Sequence, residues 1–217
     1  MSDPVNEYWN LRLADVKEAL EANNFKVDIV ASAGDAARLF MQEILPATGA
    51  STVSFGGSKT LLTTGIPDMV RSREGIEVID TYDTTITREQ VLERRRLSLH
   101  ADLFISGSNA LTADGKLVNL DMIGNRTGAI HFGPRHVVLF VGRNKLVDSV
   151  DEGMRRIKEY AAPVNAMRLQ KKTPCVKTGM CMDCKSPDRI CNVWTVTEKS
   201  FPAGRIHVVL INEDLGF

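Results

Sequence analysis

The sequence predicts an α/β fold with a mostly parallel sheet flanked by helices. Three observations carry this. Short apolar runs of strand length recur along the chain, as at Thr52–Phe55, Val137–Gly142 and Ile206–Asn212. Segments with helical spacing and recognisable start signals lie between most of them. The two types alternate, which is the pattern of a sheet covered by helices on both faces.

The elements follow in order. Asp3-Pro4 opens a helix, because a capping residue precedes a proline whose missing N–H costs nothing in the first turn. Leu13, Val16 and Leu20 share one face of this helix, which runs to about Asn23-Asn24. Phe25 to Ala31 reads as a strand. Ser32 caps a helix over Gly34 to Leu45, which Pro46 is expected to close. The strand Thr52–Phe55 ends at Gly56-Gly57, and a helix follows from Lys59 to Arg71. Ile76–Asp80 is a strand, and Thr87 to Gln90 is a capping box that starts a helix to about Leu99. Ala101–Ser106 and Val137–Gly142 are strands. Asp148 caps a helix to Tyr160, which Pro163 interrupts, and Ile206–Asn212 is the last strand. Residues 171–202 break the rhythm and read as an irregular Cys-rich excursion. Residues 1–217 are taken as one domain.

Composition limits the function classes. The chain has 217 residues, of which 43% are hydrophobic and 25% charged, enough to bury a large core. Lys plus Arg equals Asp plus Glu at 27 each, which argues against nucleic acid as the main partner. The one dense basic run, Arg94-Arg95-Arg96, reads as a solvated helix face. No apolar stretch approaches the roughly 20 residues needed to span a bilayer. Residues 1–20 carry Asp3, Glu7, Arg12, Asp15, Lys17 and Glu18, so no apolar signal core is expected there. The expectation is a cytoplasmic protein with no membrane partner.

Ligands of open α/β sheets bind at the carboxyl ends of strands. One loaded loop there is Gly56-Gly57-Ser58-Lys59-Thr60. Its glycines allow close backbone approach, the following helix start favours an anion, and its side chains add donors. It is neither a Walker A loop nor a dinucleotide fingerprint. The second loop begins at Gly107-Ser108-Asn109. Asp114-Gly115 between apolar residues marks a hairpin. Asn109, Asn119, Asp121, Asn125 and Arg126 gather around that hairpin, and Asn144-Lys145 lies at a third strand end. Asp121 is the candidate acid or base, Arg126 the candidate anion clamp, and Lys59 their candidate catalytic companion. His131 is within reach of this pocket, whereas His100, His136 and His207 read as structural. No G-x-S-x-G signature occurs.

All four cysteines, Cys175, Cys181, Cys184 and Cys191, fall within seventeen residues in a C-x5-C-x2-C-x6-C run. Four thiolates suit tetrahedral zinc or an iron–sulfur cluster, and Gly179 permits the turn that brings Cys181 back. A redox-active dithiol, a pair of disulfides and four free thiols compete with that reading. The uneven spacing favours a 4Fe–4S cluster slightly over zinc, although it matches neither standard ferredoxin pattern.

A family resemblance enters with these residues. It rests on Gly107 to Asn119, Gly124-Asn-Arg, Gly133-Pro, Val141-Gly-Arg-Asn-Lys, Ala161 to Leu169 and the cysteine run. Together they resemble the lactate-utilisation (LUD) domain family over most of the chain, most specifically from Ala101 onward. The resemblance implies a fold like that of ribose-5-phosphate isomerase, glucosamine-phosphate deaminase and CoA transferases. Methylthioribose-1-phosphate isomerase has a similar segment, but Ser108-Asn109 stands where that segment has Ala-Asp. Some LUD proteins serve a multi-subunit, iron–sulfur-dependent oxidation of L-lactate. Together with the anion-loop chemistry and the thiolates, the resemblance implies a protein that binds a small anion and acts in the oxidation of lactate or a related organic acid, passing electrons or assembling an oxidase complex, with iron–sulfur subunits as partners. The cysteine excursion would lie beside the pocket or at the interface of a homo-oligomer. The alternatives are a sugar-phosphate isomerase or CoA-transferase-like enzyme with structural zinc, and a non-catalytic accessory subunit.

Overall fold

The structure, a computed structural model, describes residues 3–217. Helix α1 (Pro4–Ala22) starts where the Asp3 carboxylate accepts the Val5 N–H at 3.1 Å, and it buries Leu13, Val16 and Leu20. Strand β1 (Lys26–Val30) leads to α2 (Ala33–Leu39), capped by the Ser32 hydroxyl. The helix does not stop before Pro46. It widens into a π turn over Phe40–Ile44 and continues as α3 (Leu45–Thr48), with Pro46 in its first turn. A proline in a regular helix leaves a carbonyl without its N–H donor and presses its ring on the preceding turn. The π turn relieves this: the Leu45 N–H reaches back to the Phe40 carbonyl, one residue further than in an α-helix.

Strand β2 (Thr52–Phe55) precedes α4 (Lys59–Thr63) and α5 (Ile66–Arg71). The single helix expected over Lys59–Arg71 is broken by Gly65, whose φ of 72° lies in the left-handed region, with Pro67 just behind it. Strand β3 (Glu77–Ile79) is followed by α6 (Arg88–Leu97), whose Thr87–Gln90 capping box forms both reciprocal bonds. Next come β4 (Leu103–Ser106), β5 (Ala110–Thr112), β6 (Leu117–Asp121) and α7 (Asn125–His131). The expected hairpin joins β5 to β6 in antiparallel register. Strand β7 (His136–Gly142) and the short β8 (Leu146–Val147) precede α8 (Val150–Arg156).

Ser149, not Asp148, caps α8, while Asp148 lies 2.8 Å from Arg12 in an ion pair. Pro163 does not interrupt the helix either. A second π turn, Ile157–Ala161, carries it into α9 (Ala162–Arg168). The Cys-rich excursion also holds regular structure: α10 (Pro174–Thr178) and β9 (Val193–Thr197). Strand β10 (Ile206–Ile211) completes the chain's regular elements.

Six strands form one parallel sheet in the order β1-β10-β7-β4-β2-β3. Alternate residues of its central strands face opposite cores. Val53, Phe55, Ile105, Val138 and Phe140 pack with Phe40, Leu61, Ile66 and Val70 of the helices on one side. Phe104, Val137, Leu139, Val208 and Leu210 pack with Leu13, Val16 and Leu20 of α1 and Ile130 of α7 on the other. Both faces are thus covered, as continuous apolar strands require. A second sheet, in the order β8-β5-β6-β9, lies under α8 and buries Ala110, Val118, Leu120 and Ile157. Among the described residues no helix is long and apolar enough to cross a membrane.

Candidate functional site

The carboxyl ends of β2, β3, β4 and β7 open onto one cleft of about 320 Å³. The loop after β2 supplies Gly57, Ser58 and Lys59, the loop after β3 supplies Thr81 and Tyr82, and the loop after β4 supplies Gly107, Ser108 and Asn109. Lys145 comes from the turn after β7. Asp121, Asn125 and Arg126 come from the β6–α7 junction. The rest of the wall includes Ile157, Ala161, Ala162, Asn165 and Arg168 of the π turn and α9, with Arg95 of α6, Ile190 and Phe217.

Close glycine packing lets these loops meet. A Cβ on Gly107 would stand 2.6 Å from the Ser58 hydroxyl, and one on Gly56 would stand 2.6 Å from the Phe104 ring. Tyr82 braces the first loop, donating to the Gly56 carbonyl at 2.7 Å and accepting the Ser58 N–H at 3.1 Å. Burial raises the Tyr82 pKa, so its hydroxyl keeps the proton it donates.

Arg126 is the hub of the second loop. Its Nε and Nη2 meet Asp121 Oδ1 at 2.9 and 2.7 Å. Nη1 donates to the Gly107 carbonyl at 2.9 Å and to Asn119 Oδ1 at 2.7 Å, and Nη2 donates to Asn109 Oδ1 at 2.7 Å. Asp121 Oδ2 accepts the backbone N–H groups of Arg126 and Thr127, the second and third residues of α7. The carboxylate therefore caps this helix from the preceding strand. Both side chains are 8% exposed, and their polar atoms are largely occupied by one another and by the β5–β6 hairpin. Asn119 is fully buried. Its Oδ1 accepts from Ser108, Asn109 and Arg126, while its Nδ2 has no partner among the described residues.

Lys145 is the most perturbed base in the cleft. It is 4% exposed, and its Nζ donates to Thr60 Oγ1 at 2.6 Å. No carboxylate among the described residues lies within ion-pair distance of it. Burial, followed by the positive charges of Arg156 and Arg126, lowers its pKa from 10.5 to about 7. A lysine so placed is neutral for much of the time near physiological pH and can act as a base or nucleophile.

Of the other expected residues, Gly56, Thr60 and Asn144 stand behind the cleft. Gly56 is buried in the β2 turn. Thr60 donates to the Leu215 carbonyl at 3.0 Å and accepts from Lys145. Asn144 accepts the Leu215 N–H at 3.1 Å and so pins the C-terminal segment over Lys145. Lys59 is exposed on the rim. His131 does not line the cleft, because its ring nitrogens engage the Thr127 carbonyl and the Thr197 hydroxyl. Of the basic run read as a solvated helix face, Arg95 instead lines the cleft, while Arg94 pairs with Asp83. The sequence reading also passed over Tyr82 and Arg168, which gave no signal beyond isolated polar residues in a loop and a helix.

The four cysteines line one small pocket, of about 20 Å³, together with Ala162, Pro163, Ala166, Thr173, Met182, Arg189 and Ile190. All four are partly buried free thiols. Arg189 organises the loop by donating to the carbonyls of Cys184 at 2.6 Å and Cys191 at 2.9 Å. The thiols share a pocket, yet among the described residues no three His, Cys, Asp or Glu side chains are grouped as metal ligands. Ala162 and Ile190 line both this pocket and the cleft, so the two cavities share a wall.

The LUD domain family model matches residues 13–211, nearly the whole of this architecture. The chain belongs to the LUD domain family. LUD denotes lactate utilisation, and membership supports a role related to it. A solved structure of a duf162 family protein from Deinococcus radiodurans superposes with a TM-score of 0.51 and 15% identity. The match covers 94% of this LUD chain and 98% of that one, and it shows a shared fold. No curated protein matches the chain. The cleft loops and all four cysteines lie inside the span matched by the family model.

Proposed function

We propose that this LUD-domain protein binds a small organic-acid anion in the cleft and acts in the oxidation of lactate or a related acid. In this reading the four cysteines hold an iron–sulfur cluster or zinc, and iron–sulfur oxidoreductase subunits are the partners. The charge of the cleft carries the proposal. The cationic side chains Lys59, Arg95, Arg126 and Arg168 line it, whereas Asp121 is the one acidic side chain among its described lining residues and is paired with Arg126. A carboxylate entering the cleft meets net positive charge in a partly desolvated site, where such attraction is strengthened.

The donor set supports the metal part of the reading. Four cysteines lining one pocket are a donor set of the type either group takes, and Ala162, Pro163, Ala166 and Ile190 give that pocket apolar walls. A bound cluster would supply one-electron transfer beside the cleft, while zinc would brace the loop. Anaerobic purification followed by iron, sulfide and zinc analysis tests this part. Metal-free protein with four titratable thiols would refute it. Calorimetry with L-lactate, pyruvate, ribose 5-phosphate and CoA tests the cleft. Binding of the small acids supports the proposal, and binding of the sugar phosphate or CoA alone overturns it.

A further inference from the structure

Lys145 has an arrangement that simple anion binding does not need. A lysine that only attracts a carboxylate works best fully charged, on the rim, as Lys59 stands. Lys145 is instead sunk to 4% exposure, lines the cleft, and has one side-chain hydrogen-bond partner among the described residues, Thr60 Oγ1 at 2.6 Å. The Thr60 hydroxyl donates its own proton to the Leu215 carbonyl at 3.0 Å, so it meets Lys145 as an acceptor. That geometry fixes one N–H bond of the amine and directs the rest of the nitrogen elsewhere. The charged neighbours are Arg126 from α7 and Arg156 from α8, both cationic, and no carboxylate lies within ion-pair distance among the described residues. Desolvation beside other cations is the established way to free a lysine lone pair for attack on a carbonyl.

We propose that Lys145 is a carbonyl-reactive amine that forms an imine with the 2-oxo group of a small 2-oxo acid held in the cleft. The inference rests on the reading that the cleft takes a small organic-acid anion. The carboxylate faces the arginine and lysine side chains, which leaves the adjacent carbonyl carbon for the amine. The nitrogen lone pair forms the C–N bond and gives a carbinolamine. The C–O bond then breaks, and the oxygen leaves as water with the two hydrogens of the amine. No oxidant or reductant is consumed, and hydrolysis reverses the step. The imine draws electrons from the neighbouring carbons, which is the chemistry such an adduct offers to proton exchange or decarboxylation.

Reductive trapping tests this. The full-length protein is incubated with pyruvate and sodium cyanoborohydride, then weighed intact and mapped by peptide mass spectrometry. The expected result is a single reduced adduct on Lys145, lost in Lys145→Met, with a yield that rises through about pH 7, where the amine deprotonates. Circular dichroism checks that Lys145→Met is folded, and mapping of the unmodified sequence decides the site even if it is not. L-lactate, which has no carbonyl, should compete without forming an adduct. An adduct that maps to Lys59, or no adduct although pyruvate raises the melting temperature, overturns the imine and leaves anion binding intact. Neither adduct nor binding overturns both.

Discussion

Arg126 Nη2 lies 2.7 Å from Asp121 Oδ1, and the other oxygen of the same carboxylate receives the Arg126 and Thr127 N–H groups in the first turn of α7. One ion pair thus joins the end of β6, the start of α7 and, through Gly107 and Asn109, the loop after β4.

Removing one partner of a buried pair strands the other without compensation, at a typical cost of about 3–5 kcal/mol. Arg126→Met is therefore expected to lower unfolding stability by that order, measured as a shift in the urea midpoint with an unchanged slope. The carboxylates of Asp35 and Asp68 pair with Arg38 and Arg71 on the exposed surface. Breaking either of those pairs should cost no more than about 1 kcal/mol. A loss that small in Arg126→Met would show that the hub is not structural.

Lys145 makes the opposite prediction for stability. Its folded pKa of about 7 lies below the ordinary 10.5. Between those values the unfolded chain binds a proton that the folded chain does not, so stability rises with pH across this window. Below about 7 the folded protein carries a buried, unpaired cation. Lys145→Met removes that penalty and is expected to raise the melting temperature near pH 6, by a difference on the order of a few kcal/mol. The gain should shrink as the pH approaches 10. A variant with the parent's pH slope would show that Lys145 does not titrate abnormally.

Gly107 tests the close approach of the two loops. A methyl group there would sit 2.9 Å from the Phe140 backbone oxygen, which cannot turn aside, besides the 2.6 Å approach to Ser58. Gly107→Ala should cost about 1–3 kcal/mol, as overpacking does, and weaken ligand binding by displacing Ser58. Gly57 has nothing among the described residues within 4 Å of the same position, so Gly57→Ala should fall within about 0.5 kcal/mol of the parent. Thermal unfolding of the two variants side by side separates the outcomes.

What the sequence revealed and what it hid divide by range. The strands β2, β7 and β10 were legible because parallel strands buried on both faces read as continuous apolar runs. The hairpin was legible because Asp114-Gly115 is a local turn signal. Helix α7 was not, since its N-cap is Gly124 and its capping carboxylate comes from Asp121, outside the usual cap position. The continuation of two helices past Pro46 and Pro163 was hidden because a π turn leaves no mark in the pattern of residue types. Strand β9 was obscured by the cysteine-rich residues before it, although its pairing with β6 is regular. Arg95 reaches the cleft only because α6 packs beside it, a tertiary fact that a run of three arginines does not encode.

The wall formed by Ala162 and Ile190 allows a structural role of the cysteines to be separated from an electronic one. Cys181→Ser keeps the size of the side chain and removes one strong metal donor. If the four thiols hold a metal, this variant should retain less of it on anaerobic purification. If the metal is a brace, the melting temperature falls and affinity for the small acid is spared, because Arg189 still ties the loop through the Cys184 and Cys191 carbonyls. If it is an electron carrier, the protein stays folded and binds its acid but no longer reduces an added acceptor when the acid is supplied. Unchanged metal content, stability and electron transfer in Cys181→Ser would refute both roles and leave Cys181 as an ordinary, partly buried thiol.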